Sequence, residues 1–71
     1  MSGRPVKRSL TLKGHRTSVS LEDEFWQAFR DIAKEKNSAI NALAAEIDVS
    51  RDPEVGLASA IRVFVLNWYR P

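Results

Sequence analysis

The sequence predicts a mainly α-helical domain that begins with a short β-ribbon, and three observations support this fold class. Residues 16–21 alternate between polar and apolar side chains, which is the period of a strand. Apolar residues then recur at helical spacing in three successive segments. The chain has only 71 residues and no cysteine, so disulfides cannot stabilise this small domain. We therefore expect a second copy of the chain to complete the fold.

The basic residues before this strand leave two alternatives open. The segment KRSLTLK, residues 7–13, also alternates, with Arg8, Leu10 and Leu12 on one face. Gly14-His15 is typical of a two-residue type II′ turn, so residues 7–13 could pair with residues 16–21 and place Leu10 opposite Val19. Otherwise residues 1–15 form a mobile arm.

The strand is followed by a predicted helix A over residues 22–36. Ser20 and Asp23 have the spacing of a capping box, and the acidic residues after Leu21 suit a helix N-terminus. An apolar stripe runs along this helix, formed by Phe25, Trp26, Phe29, Ile32 and Ala33.

Two further helices are predicted downstream. Helix B covers about residues 39–49, with Asn37 or Ser38 as its cap. Helix C covers about residues 55–69, with Asp52 as its cap and Pro53 at its first position. Helix C is apolar on two sides, which predicts that one side packs on its own domain and the other on a partner chain.

Charge is unevenly distributed along the chain and indicates a polyanionic partner. Residues 1–21 carry five bases and no acid, whereas residues 22–71 carry six bases and nine acids, which together give the net charge of +2. Such an N-terminal basic segment is typical of proteins that bind nucleic acid.

Several classes of function are not expected. A single histidine, His15, cannot form a zinc site, and no carboxylate cluster replaces it. Serines occur without a recognisable general base, and there is no glycine-rich phosphate loop. We therefore expect no enzymatic activity, no metal and no cofactor. Neither a signal peptide nor a membrane span is recognisable, so we expect a cytoplasmic protein.

The run RTSVSLEDEFWQAFRDIAKEKNSAINALAAEI, residues 16–47, resembles the ribbon-helix-helix DNA-binding domain. The segments HRTSVSLEDEFW and NALAAEID are more specifically similar to a subfamily of small bacterial proteins, which also carries an apolar C-terminal segment like LASAIRVFVL. The resemblance implies a domain core at residues 16–50 and a C-terminal helix within 51–71. It further implies an intertwined homodimer whose antiparallel ribbon, one strand from each chain, enters the DNA major groove.

The resemblance also implies roles for individual residues. Base contacts fall to Arg16, Ser18 and Ser20, of which Arg16 can donate to guanine O6 and N7. A phosphate is implied at the N-terminus of the second helix, which corresponds to Ser38, Ala39, Ile40 and Asn41. The expected dimer core consists of Val19, Leu21, Phe25, Phe29, Ile32, Ile40, Leu43, Ile47, Ile61 and Phe64.

The width of the groove favours the arm over the hairpin. A dimer with a hairpin in each chain would have four adjacent strands, with about 14 Å between the outer strand axes before side chains. A major groove about 12 Å wide does not admit such a sheet as a simple ribbon. We therefore expect residues 1–15 to act as an arm, in which Lys7, Arg8 and Lys13 contact DNA phosphates.

The predicted function is that of a sequence-specific transcriptional regulator, nucleoid-associated, which binds double-stranded DNA as a homodimer or as two dimers side by side. Two alternatives use the same dimer. One is a protein–protein adaptor that binds another protein through helix C and the hairpin, and the other is an antitoxin with a partner-binding C-terminal segment. Steep weakening of binding with salt would separate the DNA-binding protein from the adaptor.

Overall fold

The computed structural model of the protein describes residues 3–71, which form two strands and three helices. These are β1 (Val6–Leu12), β2 (His15–Leu21), α1 (Asp23–Glu35), α2 (Ile40–Ser50) and α3 (Leu57–Tyr69). A mainly α-helical domain with a short β-ribbon and an additional C-terminal helix is thereby confirmed. The expected arm begins at residue 1, and its first two residues lie outside the described part.

Of the two alternatives that the sequence leaves open for this segment, the structure shows the hairpin and not the favoured arm, because β1 pairs antiparallel with β2 along its whole length. Leu10 is buried in the core and Leu12 is partly buried against it. Arg8 on the same face lies close to α1. The apolar face of β1 is therefore part of the domain, and burial of that face stabilises the hairpin.

The turn and the register also differ from the sequence prediction. Lys13 and Gly14 both have positive φ angles, of 51° and 85°, so the turn is of the type I′ class and begins one residue earlier. Leu10 lies opposite Thr17, and Val19 lies opposite Arg8. Because this register is shifted by two residues, every side chain keeps its predicted face of the sheet.

None of the predicted helix caps is present. Ser20 belongs to β2, and Glu22 occupies the N-cap position of α1 without a side-chain cap bond. The N-cap position of α2 is Ala39 rather than Asn37 or Ser38. Ser20 is instead part of the strand pairing, and Asn37 is part of the chain reversal between α1 and α2.

Asn37 forms the corner between α1 and α2. Its φ of 53° is left-handed, which asparagine tolerates better than most residues. The backbone N–H of Asn37 donates to the carbonyl of Lys34, and the N–H of Ser38 donates to the carbonyl of Ala33. This pair of bonds is the Schellman motif, so Asn37 ends α1 in the place where a glycine often stands.

The start of α3 is later than predicted. Asp52 does not cap this helix, because its side chain accepts a bond from the N–H of Glu54 and its carbonyl accepts one from Val55. These bonds close a separate turn around Pro53. The helix begins at Leu57, with Gly56 in the N-cap position.

The core lies between the hairpin and the three helices, and it closes within one chain. α2 packs against β1. α3 packs against α1, α2 and β2. Of the ten residues expected in a dimer core, seven are buried inside the single chain and three are partly buried. The buried ones are Val19, Leu21, Phe29, Ile32, Leu43, Ile47 and Ile61, and the partly buried ones are Phe25, Ile40 and Phe64.

Thr17 is exposed, although it lies opposite Leu10 on the helix-facing side of the hairpin. The turn-proximal part of β2 extends beyond the helices, since α2 packs against β1 and Arg62 of α3 meets β2 at Ser20.

None of the helices in the described part of the chain combines the length and apolar character that a membrane span requires.

Candidate nucleic-acid interface

Six exposed side chains form one surface of the hairpin, which we call the outer face. It consists of three cross-strand pairs, Lys7 with Ser20, Ser9 with Ser18 and Thr11 with Arg16. Its members alternate with the residues that point toward the helices, since successive side chains in a strand point to opposite sides. The outer face thus has two cations and four hydroxyl groups, and none of its members is acidic.

The outer edges of the hairpin are each bonded to a helix side chain. The backbone N–H of Thr11 donates to Oδ1 of Asn41 on α2, over 3.0 Å. The backbone carbonyl of Ser20 accepts a bond of 3.1 Å from Arg62 on α3. Backbone groups in an antiparallel pair point alternately toward and away from the partner strand. These two bonds therefore identify the outer-face residues as those whose backbone groups point away from the hairpin.

Two of the acidic residues next to the hairpin are held in ion pairs. Asp23 accepts a bond of 3.0 Å from Arg8, and Glu22 lies 2.8 Å from Nη2 of Arg62. A backbone hydrogen bond of Glu22 itself, and then the bond from Arg62, lower the pKa of the Glu22 carboxyl. Both carboxylates are thereby paired with cations, which reduces their repulsion of an anion near the outer face.

Arg8 was predicted to contact a DNA phosphate, but the structure uses it inside the domain. Its guanidinium pairs with Asp23 and lies 5.4 Å from the ring centre of Trp26. It is on the helix-facing side of β1, in line with Leu10. Arg8 therefore joins β1 to α1, and its contact with a DNA phosphate stays a prediction.

The N-terminus of α2 lies beside β1, and Asn41 makes the connection. The residues of this terminus, which the sequence analysis assigns to a phosphate, are Ser38, Ala39, Ile40 and Asn41. The first backbone N–H groups of an α-helix have no partner within the helix and suit an anion. Because Asn41 bonds to Thr11, this terminus is next to the turn-proximal half of the outer face.

Two features of the site were not recognised as such from the sequence. Ser9 and Thr11 alternate with the apolar residues of β1, but their position beside Ser18 and Arg16 depends on the hairpin register. Arg62 stands 42 residues from Ser20 and 40 from Glu22, so no local pattern connects them. Lys7 and Lys13 lie on the polar face of the alternating segment 7–13, and both are exposed, as this pattern predicts.

Among residues 3–71 there is no cluster of three or more histidine or carboxylate side chains that could hold a metal ion. Trp26 and Trp68 each stack against a cation, with Arg8 5.4 Å from the centre of Trp26 and Lys36 5.7 Å from that of Trp68. Neither tryptophan is on the outer face, so neither is in a position to stack on a base there.

Comparison with known families agrees with the fold. A sequence model described as a ribbon-helix-helix domain matches residues 5–69, which include both strands and all three helices. No curated protein and no solved structure matches the chain significantly. Domains of this family are typically found in DNA-binding transcriptional regulators or antitoxins, and they are generally not enzymes. Because the match covers nearly the whole chain, the protein belongs to the ribbon-helix-helix family.

Proposed function

We propose that the protein is a sequence-specific DNA-binding regulator of transcription, in which Arg16, Ser18 and Ser20 contact base edges in the major groove. The observation that carries this proposal is the outer face, an exposed cationic surface rich in hydroxyl groups. Arginine is the commonest partner of guanine in the major groove, and serine hydroxyls can donate to or accept from several bases. The family match supports the same function.

Phosphate contacts complete the interface. Lys7 and Lys13 lie near opposite ends of β1, where their exposed ammonium groups can reach the two DNA backbones that border a groove. At the start of α2, the backbone N–H groups of Ala39, Ile40 and Asn41 would bind a further phosphate beside β1, whereas the N–H of Ser38 is already bonded to the carbonyl of Ala33. Such contacts set the position of the protein on DNA but carry no sequence information.

The regulator acts as a homodimer in this proposal, and two dimers bind side by side on longer sites. Proteins of this family generally bind DNA as dimers. A two-fold axis between the chains predicts a palindromic site, because each chain then meets the same bases. The protein would be cytoplasmic and associated with the nucleoid.

The test is a salt titration of binding to a randomised duplex library, with Arg16→Ala as the variant. We expect the wild-type affinity to fall with a log–log slope of about −2 per chain, from Lys7 and Lys13. Arg16→Ala should lose about 1–3 kcal/mol of binding and relax the preference at one base position. Arg70→Ala removes the same charge from the exposed end of α3, outside the hairpin, and serves as the matched control.

Two results would count against this function. If no duplex binds at low salt, DNA binding is refuted. Equal losses for Arg16→Ala on all sequences would make Arg16 a phosphate contact instead of a base contact.

An adaptor or antitoxin is the second candidate, and the outer surface of α3 favours it. Three apolar side chains of α3 are about half exposed, namely Val63 at 54 %, Leu66 at 53 % and Tyr69 at 56 %. The helix also has only one charged residue. Exposed apolar side chains on one helix are typical of a surface that binds another protein. Leu66→Glu should abolish partner binding in this case and leave duplex affinity unchanged.

A further inference from the structure

Helix α2 covers the outer edge of β1. It packs against this strand, and its Asn41 side chain accepts a bond from the backbone N–H of Thr11. A further strand on this edge would need the same N–H for its ladder and would have to displace α2. Covering an edge with a helix or a loop is a common means of preventing strand pairing there. The β1 side of the hairpin is therefore closed to another chain.

The outer edge of β2 is open along most of its length. Its outward backbone groups belong to Arg16, Ser18 and Ser20. In the described part of the chain, only the carbonyl of Ser20 has a partner among these groups, and that partner is Arg62. A carbonyl oxygen has two lone pairs, so Ser20 can accept a second bond. A strand edge with free N–H and C=O groups is a template for pairing with another strand.

A second copy of the chain is the partner that fits this edge. An antiparallel pairing of two β2 strands centred on Ser18 matches the outward groups of Arg16 with those of the partner's Ser20. Thr17 on the helix-facing side is exposed, so the approach of a second domain meets no helix there. Proteins of this family generally bind DNA as dimers. The two hairpins then form one four-stranded sheet, with the β2 strands inside and the β1 strands outside.

The widths of this sheet and of the major groove place the inner and outer strands differently. Neighbouring strands are about 4.8 Å apart, so the inner axes lie about 2.4 Å from the two-fold axis and the outer axes about 7.2 Å from it. The DNA backbones that border a groove about 12 Å wide lie about 6 Å from its centre. Only the β2 strands are thus above the base edges, and each β1 strand is above a DNA backbone.

The outer-face side chains of β1 suit a place above the phosphates. They are Lys7, Ser9 and Thr11, which are all exposed and can each donate a hydrogen bond. Lysine, serine and threonine side chains are common donors to phosphate oxygens. The N-terminus of α2, where a further phosphate is proposed, lies on the same side, next to Thr11. A row of donors without an acidic residue therefore faces the DNA backbone.

We propose that two copies pair through the open edge of β2, and that Ser9 and Thr11 of each β1 strand donate their hydroxyl hydrogens to DNA phosphates. This inference rests on the DNA binding proposed above and adds two phosphate contacts per chain to it. Base readout stays with Arg16, Ser18 and Ser20 of the inner strands. The β1 strands fix the position of the inner strands on the duplex, since phosphate contacts orient a protein without reading sequence.

Base selection from a randomised duplex library tests the role of β1 with Ser9→Ala and Thr11→Val. Both side chains are exposed, so these small changes leave the fold intact. Each variant should lose about three- to thirtyfold in affinity, equally on all duplexes, with base preference and salt slope unchanged. Ser18→Ala on the inner strand should instead change the base preference. Ser59→Ala removes an exposed hydroxyl from α3 and is the matched control.

Single cysteines test the order of the strands in the DNA-free protein, because the chain has no cysteine of its own. In a hydrogen-bonded antiparallel pair the Cα atoms are about 5.5 Å apart, which is within the range of a disulfide. Ser18→Cys should therefore cross-link two chains under mild oxidation. Ser9→Cys is the matched control and should not cross-link them, because the outer strands are about 14 Å apart.

Different results bear on the inference and on the DNA binding beneath it. Absence of the cross-link in Ser18→Cys, or an efficient cross-link in Ser9→Cys, would overturn the inference. A changed base preference or an unchanged affinity in either Ser9→Ala or Thr11→Val would also overturn it, while DNA binding itself stood. If the wild type binds no duplex, the proposed function is refuted together with the phosphate contacts, whatever the cross-linking shows.

Discussion

Replacing Leu10 with alanine tests whether β1 is an integral part of the folded domain. Leu10 is 2 % exposed and packs into the core cluster, on the face opposite Ser9 and Thr11. Removing a fully buried leucine side chain costs the lost transfer energy and leaves a cavity, about 2–5 kcal/mol in total. A 71-residue domain has a stability of roughly 4–11 kcal/mol, so the loss is a large fraction of it.

Urea denaturation followed by circular dichroism measures this loss, at several protein concentrations so that any contribution from association is visible. We expect the midpoint to fall strongly with little change in the m-value, and Tm to fall by about 10–40 °C. Ser9→Ala is the control, because this neighbour in the chain is exposed and should change the stability by less than about 0.5 kcal/mol. If Leu10→Ala is as stable as the control, β1 is not packed on the helices, and residues 6–12 are not an integral part of the domain.

Three further predictions concern the turn, the hairpin end and the phosphate contacts. Gly14→Ala should destabilise the domain by about 1 kcal/mol, because Gly14 has a φ of 85°, and thermal unfolding would detect this. The pKa of Glu22 is lowered first by its backbone hydrogen bond and then by the bond from Arg62, so the charged carboxylate stabilises the fold above pH 4.5, its ordinary pKa, and this contribution disappears as the pH falls through the lowered value. The stability difference between wild type and Glu22→Gln should accordingly shrink in acid, and a constant difference across a pH series would contradict this. Lys7→Ala should reduce affinity evenly across duplex sequences and make the salt slope less steep by about 0.9, whereas a sequence-dependent loss would make Lys7 a base contact.

The elements themselves were predictable because their signals are local. Alternation placed β2 within one residue of its observed start, and the three apolar stripes placed the helices within about two residues of theirs. The side of each strand that faces the helices was also predicted correctly for Leu10, Val19 and Leu21. These features depend on the periods of strands and helices, which any folded arrangement of the chain preserves.

The ends of the elements were not predictable in the same way. Ser20 has the sequence position of a helix cap, yet it is held in β2, where its carbonyl accepts a bond from Arg62. Asp52 has equally good capping chemistry, but it closes a turn of its own before α3. A side chain that can bond to several backbone groups takes the one that the surrounding structure brings near.

The amino-acid sequence by itself determined which residues form strands and helices, which sides of them are apolar, and that positive charge is concentrated before residue 22. Only the tertiary structure decided that residues 6–12 join the domain instead of forming an arm, that Arg8 pairs with Asp23, and that Ser9 and Thr11 lie beside the predicted base-contacting residues. The physical reason is that periodicity is a property of neighbours in the chain. The pairing of β1 depends on the packing of its apolar side chains, such as Leu10, against core residues that lie far away in the sequence.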